Sequence, residues 1–333
     1  MAIIAEKHYN LLDFSQQFAE NGDLVAVADV LVKSNPMIDD AVLIESNSDA
    51  GHLHAIQTSI PEGTWRRAYE GVPYEKGTQK QVMDTFGLLA ANSLVDQEIA
   101  EKGGKINEVR SRQAKTIIEG MGQTMGKSLI YGSLKKNEKS FVGLAANYSV
   151  AGGAWDANDS SRNVVKAGSG SDSAVNSSVY FVTWDTDKVF TFYPKGTKAG
   201  LQHIDYTPNG KPEEVIDGNG NSFPGYKDHF AWKMGLCVHD WRYAGRVCNI
   251  VAATTGAELR LAIDEMLARV NKGTGKQVLY MNKAIAFKLQ QALDSKSNVF
   301  YTPAQPNQPA VLMYSGIPVH VCDFITSTEA KLA

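Results

Sequence analysis

Gly126-Lys127-Ser128 supplies the second half of a phosphate-binding loop, whose first glycine, five positions earlier, lets successive backbone N–H groups curl around a phosphate. The position that needs that glycine is Met121, with Gly120 one place too early and Gly122 one place too late. His52 and His54 alternate on one strand face and could give a metal two imidazoles. No third ligand with suitable spacing stands nearby, so the expectation is two exposed hairpin histidines. His239-Asp240 and His203-Ile204-Asp205 hold the residue types of an acid–base pair, but neighbouring His and Asp are common in strands and loops and are read as structural. "GSGSDS" at 168–173 lacks the spacing of a nucleophile elbow. The expected chemistry is therefore none: no catalytic residues, no cofactor and no metal, which lowers the prior for an enzyme. Trp65-Arg66-Arg67 is the exposed cluster that stands out, because Trp and Arg are enriched where proteins bind each other.

The elements around these residues explain the failed loop. In "KINEVRSRQAKTIIEGMGQTMGKSLIYG", Ile117, Met121, Met125 and Leu129 recur every four residues while charged side chains take other faces. That pattern predicts one amphipathic helix of about 27 residues, roughly 40 Å long, with Gly120–Ser128 inside it. Gly122 and Gly126 then mark a shallow strip for close approach, each costing about 1 kcal/mol of helix propensity. Ahead of the helix, His52–Ile56 and Trp65–Tyr69 alternate, and Pro61, Gly63, Gly71, Pro73 and Gly77 punctuate the chain before Val82–Phe86. This reads as an extended, kinked hairpin. Isolated two-stranded ribbons are marginal in water, so it should lean on something else, such as another subunit.

Residues 1–45 read as an arm of two short helical pieces, Leu11–Phe18 and Leu24–Leu31, then an apolar stretch around Met37–Ile44. After the long helix, 151–174 is a Gly/Ser/Asn-rich surface loop and 178–194 holds two strands; 196–228 is turn-rich and 229–251 gives two more strands. A helix over 257–270, a strand at 278–280, a helix over 283–293 and a strand at 317–321 complete the chain. The fold class is α+β, without internal repeats.

The chain has 333 residues, 43% hydrophobic and 21% charged, enough for two lobes or one elaborated domain. Its net charge of −3 leaves no basic excess for sequence-specific DNA binding. Glu6, Lys7 and His8 spoil any signal-peptide core and no stretch suits a membrane span, so synthesis in a cytosol is expected. Cys237, Cys248 and Cys322 form no CxxC pair and are expected to be reduced, partly buried thiols.

The order of these parts, with the strings "KSFVGLAANY", "LRLAIDEMLARV", "QVLYMNKAIAFKLQQALDSK" and "YSGIPVHVCDFI", resembles the major capsid proteins of tailed bacteriophages with the Hong Kong 97-like fold. The resemblance implies an N-terminal arm (1–47), an E-loop hairpin (48–88), a peripheral domain with the spine helix and long strands (89–252), an axial domain (253–316), and a C-terminal strand and tail (317–333). In the commoner arrangement the long strands follow the Gly-Ile-Pro-Val segment; here they precede the axial helix. A permuted connectivity is implied, similar to that of short-tailed phages whose capsid proteins carry strings like "FYPKG" and "GLCVHDWRYAGRVCNI".

That family's function would be a shell subunit, assembled in the bacterial cytoplasm and localised to the virion. Its partners would be copies of itself in hexamers and pentamers, portal and scaffolding proteins, a decoration protein, and non-specifically packaged double-stranded DNA, with no membrane. Trp65, Arg66, Arg67, Tyr69, Tyr74 and Phe86 are the expected intersubunit contacts, the aromatics buried against neighbouring spine helices and the arginines setting register. Lys76 and Lys80 lie on the hairpin, but no cross-linking partner can be assigned to them. The rival readings are an encapsulin-like nanocompartment and a nucleotide-binding enzyme using Gly120–Ser128.

Overall fold

The computed structural model describes residues 35–101, 106–207, 210–216, 220–294 and 312–332. The two helical pieces expected at 11–31 and most of the Pro-rich loop before 312 lie outside the described residues. The described elements begin with α1 (Pro36–Asp40), β1 (Leu43–Glu45), β2 (His52–Ser59), β3 (Thr78–Asp84), β4 (Phe86–Asp96), α2 (Gln97–Glu101), α3 (Ile106–Tyr131) and α4 (Leu144–Asn147). Then come β5 (Val164–Lys166), β6 (Ser177–Trp184), β7 (Val189–Tyr193), β8 (Leu201–Asp205), β9 (Glu213–Ile216), β10 (Ser222–Val238) and β11 (Ala244–Ile250). The last are α5 (Gly256–Arg269), β12 (Lys276–Met281), α6 (Lys283–Asp294), β13 (Met313–Tyr314) and β14 (Ile317–Val321). The chain divides into two units, one containing Leu88–Met125 and Gly200–Lys233, the other Ser34–Gly87, Gly126–Ala199 and Met234–Ala333.

In the first unit, β8 and β9 pair antiparallel with successive stretches of β10, Asp205 opposite Asp228 and Ile216 opposite Ser222. Val95, Ile99, Ala100, Val109 and Tyr226 form its buried cluster, with Ile106 packed against it. An ion network sits on this frame. Arg110 donates to both oxygens of Asp228 and to Asp205, with Nη2 2.8 Å from each carboxylate, and His203 Nε2 lies 2.8 Å from Asp228. Burial opposes charge on Asp205, yet hydrogen bonds from Thr207 and Arg110 hold its carboxyl below the usual range. His203 and Asp205 are thus bonded to different partners, Asp228 and Arg110, rather than to each other.

The second unit is built on a sheet in which β6 runs antiparallel to both β11 and β12, while β14 runs parallel to β12. The residues of β6 are buried throughout, as a strand covered on both faces must be. Over this sheet lie α5 and α6, joined through Leu259, Ile263, Met266, Leu267, Ile285 and Leu289. Each recurring sequence string has a local physical reason. Thr255 and Glu258 form a reciprocal capping box at the start of α5. Asn282 accepts a 3.0 Å hydrogen bond from the Ile285 amide and so starts α6. Ser315 and Gly316, with φ of 52° and 80°, make the left-handed two-residue turn that joins β13 to β14 ahead of Ile317-Pro318-Val319.

The "KSFVGLAANY" string closes α3. Gly132 donates to the Ser128 carbonyl and accepts from the Gly143 amide. A Cβ on Gly143 would stand 2.7 Å from Gly132 N and from Ser128 O, so only glycine lets the returning chain cross the helix end. Phe141 and Leu144, on either side, are buried and hold that crossing.

Several strands differ from the sequence expectation. The turn-rich stretch 196–228 contains β8, β9 and the first part of β10, and β4 continues well past Phe86. The connection expected at Tyr243–Gly245 falls earlier: Asp240 caps a short 3-10 turn, Trp241–Tyr243, by accepting from the Arg242 amide, and Ala244 already belongs to β11. Asp240 also pairs with Arg242 at 2.7 Å.

Candidate assembly surface

The hairpin expected from alternation forms. β2 and β3 pair antiparallel, His52 opposite Asp84, His54 opposite Val82 and Gln57 opposite Gln79, before the register shifts towards Ser59 and Thr78. Threonine and serine hydroxyls knit the end of the ladder, Thr58 Oγ1 to Thr78 Oγ1 at 2.8 Å and Ser59 Oγ to Thr78 Oγ1 at 2.8 Å. At the other end, Asn47 accepts from the Leu53 amide and donates to its carbonyl, fixing the strand's entry.

Every residue from Gln57 to Gln81 is exposed. A segment of this length with both faces in water gains nothing from burial within its own chain. Its apolar content makes that costly: Trp65, Tyr69 and Tyr74 are 101%, 106% and 106% exposed, and Ile60 and Val72 are exposed beside them. The tip nevertheless has local order. Glu70 accepts from the Arg67 amide at 2.9 Å, the Glu70 amide donates to the Arg67 carbonyl, and Arg66 donates to the Glu70 carbonyl. Tyr69, within this turn, takes a φ of 70°, a left-handed conformation unusual for a bulky residue. Trp65, Arg66, Arg67, Tyr69 and Tyr74 therefore share one exposed loop. Phe86 is placed apart from them, half-buried against Phe190, Phe192 and Cys237 of its own unit.

The hairpin's root is the opposite of its tip. His54 is 8% exposed and Cys237 fully buried. Both histidines were expected to be exposed; instead the His52 ring stands edge-on to Phe190 at 5.1 Å, and His54 lies 5.2 Å from the His239 ring. Burial, with His239 and His52 nearby, pushes the His54 imidazole down to about 4. Asp84 and Cys237 are both raised, burial being the main cause. Sequence spacing did not reveal this grouping, because its third and fourth members come from β3 and from the far end of β10.

The would-be phosphate loop is helix. Gly120–Ser128 lies inside α3, where the amide groups point along the helix axis to carbonyls four residues back and cannot converge on a phosphate. Met121, Met125 and Leu129 are buried and Lys127 is exposed, as the four-residue pattern predicts. Among the described residues no helix is long and apolar enough to cross a membrane.

Comparison with known proteins agrees with this architecture. A solved structure of bacteriophage Epsilon15 matches at TM-score 0.76 and 24% identity, covering 100% of both chains. The bacteriophage JBD30 capsid matches at TM-score 0.49 and 10% identity, over 89% of this chain and 93% of that one. An encapsulin complex from Synechococcus elongatus matches at TM-score 0.42 and 10% identity, over 74% of this chain and 98% of that one, and this weak likeness carries no argument for cargo storage. Comparison with curated protein sequences gives no match. The family model for major capsid protein GP7 matches residues 19–333, so that a Hong Kong 97-like α+β chain with an exposed aromatic hairpin and a 26-residue helix belongs to that family of viral shell proteins.

Proposed function

We propose that the chain is the building block of a tailed bacteriophage's icosahedral shell, forming hexamers and pentamers around packaged double-stranded DNA, with the hairpin tip as its main clasp. The observation that carries this reading is the exposed run Gln57–Gln81, whose Trp65, Tyr69 and Tyr74 find no apolar cover in their own chain. Aromatic side chains of that kind make sense when seated in a neighbour's pocket, where each contributes upwards of about 1 kcal/mol. Many copies of one weak contact then sum into a closed lattice. Arg66 and Arg67 flank the aromatics and would set register through acidic groups next door.

In this reading α3, β4 and β8–β10 belong to the peripheral domain, and α5, β12 and α6 to the axial domain. The long strands β6, β7, β10 and β11 precede α5 in the chain, which supports a permuted order of parts. The subunit is structural rather than catalytic. Portal and scaffolding proteins and a decoration protein are its expected partners in the host cytoplasm, and the finished shell its destination in the virion. Electron microscopy of the purified chain, with nucleic-acid and protein assay of any particles, tests this directly. Uniform closed shells without a protein cargo support it; particles filled with an enzyme, or a chain that stays monomeric at every concentration and salt, would reject it.

A further inference from the structure

The buried root of the hairpin brings three metal-ligand types to one point. His54 Nδ1 lies 3.6 Å from Cys237 Sγ and 3.7 Å from Asp84 Oδ2. All three ligand atoms fall within 4.8 Å of one another. The nitrogen-to-oxygen separation is too long for a hydrogen bond. It suits coordination: with metal–nitrogen and metal–oxygen bonds of about 2.0 Å and metal–sulfur of about 2.3 Å, adjacent ligands in a tetrahedron stand roughly 3.3–3.6 Å apart. We propose that His54 Nδ1, an Asp84 carboxylate oxygen and Cys237 Sγ bind one zinc ion, leaving its fourth position to water.

The donor set argues for the metal. Nitrogen, thiolate and carboxylate together favour zinc or cobalt over magnesium or calcium, which prefer all-oxygen cages. Charge balance argues for it too. Cys237 and Asp84 are buried or half-buried anions in waiting, and a doubly charged cation neutralises a thiolate and a carboxylate together. On binding, the Cys237 thiol proton and any proton on Asp84 leave to solvent, so affinity rises with pH. His54 Nε2 is buried without a hydrogen-bond partner among the described residues, while Nδ1 makes a 3.6 Å contact with the Cys237 thiol, so the ring already presents Nδ1 to the other two ligands. The other titratable groups facing the cluster are the His52 and His239 rings.

The three ligands come from β2, β3 and β10. An ion there would tie both strands of the hairpin to the last residues of β10, from Met234 onward, which belong to the same unit, and so fix the direction in which the exposed tip is presented. This function is separate from the tip's own contacts and stands whether or not the tip is the clasp.

Cobalt serves as the probe. The full-length chain, stripped with chelator and titrated with Co²⁺ near pH 7.5, should take up one ion with a sulfur-to-cobalt charge-transfer band in the near ultraviolet and tetrahedral bands in the visible, both bleached by Zn²⁺. Cys237→Ser should abolish the near-ultraviolet band, and Asp84→Asn should weaken binding about tenfold or more. Cys248→Ala should leave both unchanged. Zinc should raise the thermal midpoint of the unmodified chain and not that of Cys237→Ser. A hydrogen-bonded thiol without metal predicts no charge-transfer band and no zinc shift, and that result overturns the proposal. A band that survives Cys237→Ser and vanishes in Cys248→Ala overturns it equally. Should Cys237→Ser fail to fold, Asp84→Asn decides: unchanged cobalt affinity in that variant rejects the site.

Discussion

Arg246 and Glu329 form an ion pair inside the second unit, Nη2 to Oε2 at 2.7 Å, with both side chains about 95% removed from solvent. Neither charge is left half-paired. Glu329 also accepts from Ser178 and Tyr131 hydroxyls at 2.5 Å each, and Arg246 donates to the Tyr148 carbonyl at 3.0 Å. This network fastens the C-terminal segment to β11, β6 and the end of α3. Breaking a buried pair by removing one partner strands the other charge. Glu329→Gln and Arg246→Met should each destabilise the unassembled subunit by about 3–5 kcal/mol, read by urea denaturation. The double variant should lose less than the sum of the two, since neither charge is then left alone.

A second buried carboxylate makes stability depend on acid. Asp40 accepts from Tyr280 and His320 at 2.6 Å and from Lys276 at 2.7 Å, and Trp184 donates in turn to Tyr280 at 2.8 Å. Burial alone would raise Asp40; the bonds from Lys276, Tyr280 and His320 outweigh it and hold the carboxyl below its ordinary value. The folded state therefore binds this proton less readily than the unfolded chain does. Asp40's contribution is fully present above its unfolded value near pH 4 and disappears as pH falls through the lower folded value. Thermal melts between pH 7 and pH 2 should show a steeper acid loss for the unmodified chain than for Asp40→Asn. Parallel curves would rule out this role.

The two glycines of α3 should respond with opposite signs. A Cβ on Gly126 would collide with the Asn35 side chain and stand 2.9 Å from the Phe324 ring, whereas nothing among the described residues lies within 4 Å of a Cβ on Gly122. Gly126→Ala is expected to cost about 1–3 kcal/mol through overpacking. Gly122→Ala should gain up to about 1 kcal/mol from helix propensity. Denaturation midpoints of the two unassembled variants, compared side by side, check the contrast.

What the sequence made legible follows a physical rule. Helix α3 announced itself because Met121, Met125 and Leu129 repeat at the period of the structure that buries them. The hairpin was visible in the alternation of His52–Ile56 and the glycines and prolines beyond it. β4, β8 and β9 were missed because none has a clean two-residue period: Leu88-Leu89-Ala90-Ala91 runs apolar without alternating, Gln202 and His203 sit side by side in β8, and β9 is two glutamates followed by two apolar residues. The start of β10 was hidden by Pro224 and Gly225, which read as a turn yet are paired with β9. The root cluster could not be read at all: Asp84 reaches His54 through the pairing of β2 with β3, and Cys237, paired with β7 instead, meets it only by side-chain contact between elements distant in the chain. The strip at Gly122 and Gly126 was half legible, Gly126 being filled by side chains and Gly122 open among the described residues.

The most direct test of the clasp is to change the tip and count shells. Trp65, Tyr69 and Tyr74 are fully exposed, so replacing all three with serine should leave folding stability within about 0.5 kcal/mol per site of the unmodified subunit. Sedimentation velocity of the two proteins under assembling conditions should then separate them: closed particles from the unmodified chain, and subunits or small capsomers from the triple variant. Particles of the same size and yield from a properly folded triple variant would contradict the central claim that these side chains join one subunit to the next.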